Sequence, residues 1–162
     1  MASNKAIATA HYFLALGIRD KKPISNKKIQ KLLYYAQAWH LVLDPKHDKL
    51  FKDHFEAWIH GPAIPSIYGI FKKYLHNPID VKPDSQLIST NLTDSEKSLI
   101  EGVWRVYGIP YDADYLELLT HNEKPWQEAR ERVEAYEPSK AVISTESMLK
   151  FYGQKEVNTN PA

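Results

Sequence analysis

The sequence contains no cysteine. That absence removes disulfide-stapled scaffolds, thiolate zinc sites and cysteine nucleophiles together. Glycine is scarce, six in 162 residues, which leaves little material for loops that cradle phosphate. Neither G-x-x-x-x-G-K-[ST] nor G-x-G-x-x-G occurs, and no G-x-S-x-G elbow presents a serine. No run approaches the ~20 apolar residues needed to cross a bilayer. The opening MASNKAIATAHYFLALGIRD is broken by His11 and Arg19 and lacks the apolar core and cleavage pattern of a signal peptide. The expectation is a cytoplasmic protein with no membrane partner.

What is present is ordinary for a soluble domain: 43% hydrophobic and 25% charged residues, with ten Tyr and four Trp to pack a single core. The net charge of +1 conceals an asymmetry, +7 over residues 1–82 and −6 over 83–162. A basic front half suits an acidic partner. Two halves that fold together and neutralise each other account for the same pattern, and that second reading is preferred.

The periodicity predicts a mainly α fold: a single compact domain of about six to seven helices, with a short β element near residues 50–60. Ile7, Ala10, Phe13 and Leu14 mark a helix over 5–18. Ser25 is a candidate N-cap for a second helix through Ile29, Leu32, Leu33, Ala36, His40 and Leu43, ending near Asp44-Pro45. KHDKLFKDHFEAWIHGP suggests a turn and one or two extended segments, with Trp58 and His60 on one strand face. Pro65 suits the first turn of another helix. NPIDVKPDSQLIST is expected to be a proline-punctuated connection. Thr93 and Glu96 form a capping-box pattern, Gly108 and Pro110 stop that helix, and Asp112 caps the next. A polar helix is expected over 125–135 and a last one after Ser144, with 1–152 as the domain and 153–162 as a loose tail.

Candidate chemistry is thin. The seven histidines, His11, His40, His47, His54, His60, His76 and His121, include no close pair on one helix face, so no metal and no cofactor are expected. KKPISNKKIQK holds five lysines, and Lys27 and Lys28 fall in a first helical turn where cations oppose the dipole. This marks either a surface for an acidic partner or a solvated helix end. LTHNEKPW, residues 119–126, reads as a joint between helices: Asn122 caps, Pro125 is tolerated in the first turn, Glu123 favours the positive helix end, and Trp126 packs back. His121 closes the preceding helix as a buried structural histidine.

NKKIQKLLYYAQAWHL, LFKDHFEAWIHGPAIPSIY, VWRVYG and LTHNEKPW, in that order and spacing, resemble the SocA-like Panacea domain family, which includes phage-associated proteins of the GepA type. The resemblance covers about residues 5–152. Its signature positions fall on Lys31, Leu32, Leu33, Tyr34, Tyr35, Ala36, Trp39, Trp58, His60, Gly61, Pro62, Tyr68, Tyr107, Gly108, His121, Pro125 and Trp126. The resemblance implies a helical antitoxin of a bacterial or prophage toxin–antitoxin module, with a cognate toxin as partner, encoded beside it, and no catalytic set.

Lys27, Lys28, Lys31, Trp39, Trp58, His60, His121 and Trp126 are the candidate partner-binding residues. Three alternatives stand beside this reading. One is an adaptor delivering a toxin to a Clp-type protease. Another is a small enzyme using His60 or His121 with a carboxylate. The third is a transcription factor, disfavoured by the near-neutral charge, so nucleic acid is not an expected partner.

Overall fold

The computed structural model describes residues 1–159. Among them are eight α-helices and one two-stranded antiparallel hairpin. Helix α1 (Asn4–Arg19) is capped by the Ser3 hydroxyl, which accepts from the Ala6 N–H, and it buries Ala6, Ala10, Phe13 and Leu14. Helix α2 (Asn26–Leu43) is capped by Ser25, as expected.

The second helix is not one-faced. It is buried along nearly its whole length, and Lys28, Gln30, Lys31 and Gln37 go inside with the apolar residues. Buried polar side chains need partners, and each has one. Lys28 Nζ donates to the Gly108 carbonyl, Lys31 Nζ to the Pro62 carbonyl, Gln37 Nε2 to the Phe51 carbonyl and Gln30 Nε2 to Asn26 Oδ1. Leu43, expected in the apolar stripe, is 53% exposed at the end of the helix.

Strands β1 (Glu56–Trp58) and β2 (Gly61–Ala63) pair with Trp58 opposite Gly61, leaving Ile59 and His60 as the turn. Trp58 and His60 therefore do not share a strand face. Pro65 opens α3 (Pro65–Phe71). The connection expected after it holds a helix of its own, α4 (Ser85–Asn91), because Asp84 accepts from the Leu87 N–H. The Thr93–Glu96 capping box opens α5 (Asp94–Val103). A π-turn over Trp104–Gly108 ends that run, and a Cβ at Gly108 would lie 2.0 Å from Trp104 Cε3, so the turn requires glycine.

Asp112 caps α6 (Ala113–His121), and Asn122 is its C-cap. Helix α7 is only Lys124–Ala129, shorter than the polar helix expected to residue 135. Arg130 ends it. Its buried guanidinium donates to the carbonyls of Ala57, Glu134, Ala135 and Glu137, and the chain curls around it instead of continuing helical. Helix α8 (Thr145–Thr159) starts after Ser144, whose hydroxyl accepts from the Ser147 N–H. It runs on through 153–159, into the stretch expected to be a tail, and residues 160–162 of that tail lie outside the described residues. No described helix is long and apolar enough to cross a membrane.

Candidate functional site

A cleft of about 760 Å³ is lined by the first two turns of α2, the hairpin, Tyr68 of α3, Leu75 and His76 after it, and the loop at residues 138–140. Asn26 and Gln30, and beside them Lys27 and Lys31, lie one helical turn apart, and all four line the cleft. Ile64, just past β2, donates its N–H to Gln30 Oε1 at 2.8 Å and ties the hairpin to α2. On the other edge of the hairpin, Ala57 N–H donates to the Ala141 carbonyl and Ile143 N–H to the Phe55 carbonyl, which holds the loop over the cleft. Trp58, Ile59, Tyr68 and Leu75 supply apolar wall, and Trp58 and Tyr68 meet edge to face at 5.0 Å.

The back of the hairpin is held by the joint over residues 119–126. Trp126 Nε1 donates to the Trp58 carbonyl at 2.8 Å, and Arg130 Nη1 donates to the Ala57 carbonyl at 2.8 Å. His121 stacks on Trp126, 4.1 Å between centroids. Burial lowers the pKa of His121, opposed by Glu117 and by its hydrogen bond to the Ile59 backbone. Its Nε2 has no hydrogen bond and lies 3.9 Å from Glu117.

Glu117 is the hub of the rim. It pairs with Lys27 and lies 3.3 Å from His60 Nδ1. Burial pushes its pKa up, but the bonds from Lys27 and His60 prevail and hold it low. The two histidines proposed for acid–base chemistry thus share one carboxylate. His60 is 74% exposed in the turn, whereas His121 is packed behind the hairpin and is absent from the cleft wall.

The candidate residues separate accordingly. Lys27, Lys31, Trp58 and His60 line the cleft. His121 and Trp126 brace it from behind. Lys28 lies inside, 6% exposed, with its ammonium 5.4 Å from the Trp104 ring centroid; burial lowers its pKa. Trp39 is remote from the cleft, donating Nε1 to the Tyr107 hydroxyl at 2.8 Å. Lys31 is 2% exposed, and burial pulls its pKa down to about 7, against the opposing pull of Glu117.

Sequence reasoning passed over Asn26, Gln30 and Glu117, and gave Tyr68 only as a signature position, without a place in the cleft. The available signal was a polar trio at i, i+4 and i+5 on a helix otherwise apolar enough to be core. Glu123 stands at the helix end as expected, but as the N-cap of α7 itself; Asn122, expected in that role, closes α6 instead. The Glu123 side chain makes no capping bond: it is 4% exposed and accepts from the Tyr35 and Tyr152 hydroxyls at 2.6 and 2.8 Å.

The model of the family described as "Antitoxin SocA-like, Panacea domain" matches residues 29–127, from the first turns of α2 to α7. Antitoxin SocA of Caulobacter vibrioides is 44% identical over 59 residues. That stretch is 34% of this chain and 30% of the relative, so the similarity spans under a third of the relative's own length. No solved structure matches.

Proposed function

The chain belongs to the SocA-like antitoxin family with the Panacea domain, and from that membership we propose that it is an antitoxin that neutralises a partner toxin by direct protein–protein binding. The carrying observation is the extent of the family match. Residues 29–127 take in the hairpin, Glu117 and the joint that braces them. This family is described by an antitoxin role, not by a reaction, and binding needs no acid, base or metal.

The reachable candidates support a contact surface at the mouth of the cleft. Lys27 and His60 stand there, their side chains 32% and 74% exposed, with Trp58 beside them. A partly exposed aromatic flanked by charge is the composition of interface anchors. Lys28 and Lys31 are too deep for rim contacts, and Trp39 would belong to a separate surface.

Co-expression with the product of the adjacent gene tests the reading. The neighbour alone should stop growth, and the pair should restore it and co-purify. Growth restored with no complex, or a harmless neighbour, overturns binding to that neighbour. The adaptor alternative predicts toxin that disappears only where a Clp-type protease is present, so toxin abundance in a protease-deficient strain separates the two. Within the binding reading, His60→Ala should weaken the complex while leaving stability within about 0.5 kcal/mol, the usual range for an exposed substitution.

A further inference from the structure

The polar floor of the cleft has a direction. Ile64 N–H can only donate, so it fixes Gln30 with Oε1 toward itself, at 2.8 Å. Gln30 must then present Nε2 to Asn26 Oδ1, at 3.0 Å, and Asn26 must present Nδ2 to the Tyr68 carbonyl, at 3.1 Å. One obligatory backbone donor thereby orients two amides. Gln30 Oε1 and Asn26 Oδ1 each receive a bond, and the amide nitrogens of Gln30 and Asn26 each keep a second N–H without an acceptor among the described residues.

Lys31 adds to the same imbalance. Its ammonium has three N–H donors, donates to the Pro62 carbonyl at 3.1 Å, and forms no ion pair within 4 Å among the described residues. All three side chains are at least nine-tenths buried, at 2%, 1% and 2% exposure for Asn26, Gln30 and Lys31. The fold accommodates the ammonium stem closely: a Cβ at Gly61 would lie 2.5 Å from Lys31 Cε, at a φ of +104° that favours glycine. Among the described residues that line the cleft there is no carboxylate; Glu117 stands at the rim, paired with Lys27. A buried cation and spare donors under apolar walls make a receptor for an anion.

We propose that this cleft is a binding site for a small organic acid: one carboxylate, set on Lys31, Gln30 and Asn26, carried by an apolar body that packs between Trp58, Tyr68 and Leu75. The single buried ammonium matches one negative charge. Phosphate is less suited, since the described residues of the wall offer no arginine fork and no glycine-rich loop. The volume of about 760 Å³ lies within the range of small-molecule sites. This site does not depend on the antitoxin reading.

Binding a carboxylate holds Lys31 protonated. The other groups facing the cleft or Lys31 are Lys27 on α2, Glu117 and His121 on α6, His60 in the hairpin turn, and His76 and Lys140 at the mouth. Glu117 already pairs with Lys27, so Lys31 carries the proton linkage. Its empty-site pKa is about 7. At pH 8 binding should therefore take up close to one proton per acid.

The test titrates the full chain with phenylacetate and, in parallel, with neutral phenylacetamide, by calorimetry and by the Trp58 indole N–H resonance. The expected result is saturable binding of the acid, at least about tenfold tighter than the amide, with proton uptake at pH 8 read from two buffers of different ionisation heat. Lys31→Met should abolish that preference while retaining a cooperative unfolding transition. Equal affinity for acid and amide, no proton uptake, or no binding at millimolar phenylacetate overturns the site, and each is read on the unaltered protein. A blocked peptide, Ac-Ala-Glu-Phe-Ala-amide, forms the last arm. Binding of the peptide without the free acid overturns the small-acid assignment and gives the cleft to a carboxylate side chain of a protein partner.

Discussion

Lys31 and Tyr35 lie one helical turn apart on α2, and each marks a buried charge that the fold treats differently. Around Tyr35 the charge is Glu123, which accepts from two tyrosine hydroxyls at 2.6 and 2.8 Å, with Lys155 Nζ at 3.7 Å from its other oxygen. Tyr35 stacks on Tyr107 at 4.0 Å and meets Tyr34 edge to face, so the donors are locked in place by packing. Lys31 has one carbonyl and an open cleft. A buried charge with its bonds filled specifies structure; one with donors left over and a cavity beside it is available to a ligand.

The largest expected effect separates the two. Glu123→Ala removes the acceptor of two buried hydroxyls and should cost roughly 3–5 kcal/mol in denaturant unfolding. Lys31→Met should act in the opposite direction, stabilising by roughly 1–4 kcal/mol at pH 7, because a desolvated cation is replaced by an apolar chain. The sign follows from the depressed pKa. Lys31 falls from an ordinary 10.5 to about 7 in the fold, so its contribution is present at high pH and is lost as pH falls through about 7. The gain of Lys31→Met should shrink as pH is raised toward 10. A Lys31→Met variant less stable than the parent at pH 7 would make Lys31 a structural group like Glu123 and erase the contrast.

How far this contrast was legible in the sequence depends on the reach of each interaction. The starts of α2, α5 and α6 were readable because Ser25, Thr93 and Asp112 cap locally, within three residues. The joint at LTHNEKPW was readable through Pro125, which sits in the first turn of α7, although that helix has no side-chain cap bond. Glu123 was not, because its donors are 88 and 29 residues away. Lys28 and Lys31 read as surface charge because their acceptors, the Gly108 and Pro62 carbonyls, are supplied by distant turns. Helix α4 was hidden by the prolines before it, although Asp84 is a standard cap residue. Hairpin register fixed the position of His60: pairing Trp58 with Gly61 puts His60 in the turn, which alternation alone could not show.

Gly61→Ala probes the Lys31 side without altering its charge. The added methyl meets Lys31 Cε at 2.5 Å and Thr120 Oγ1 at 3.0 Å, on a backbone at φ +104°. A cost of about 1–3 kcal/mol is expected from strain, measurable by thermal unfolding. If Lys31 is displaced toward the cleft to relieve the contact, the acid-over-amide preference should fall with the same substitution.

An effect of similar size tests whether the Glu123 network is as complete as its geometry indicates. Tyr152→Phe removes one of the two hydroxyls that donate to Oε1 and leaves the ring and its packing against Tyr34 and Tyr35. The Tyr152 hydroxyl also bonds the buried Tyr34 hydroxyl at 3.1 Å, so two hydrogen bonds go and about 1–3 kcal/mol should be lost. Burial raises the pKa of Glu123, and the bonds from Tyr35 and Tyr152 oppose that rise. Deleting one should raise it further. A raised carboxyl pKa contributes stability below the ordinary value of 4.5 that is lost as pH rises through the folded value. The penalty of Tyr152→Phe should therefore be smaller at pH 4 than at pH 7. A pH-independent penalty would mean that Lys155, at 3.7 Å, already holds the charge unaided, and that Glu123 resembles an ordinary ion pair more than a closed network.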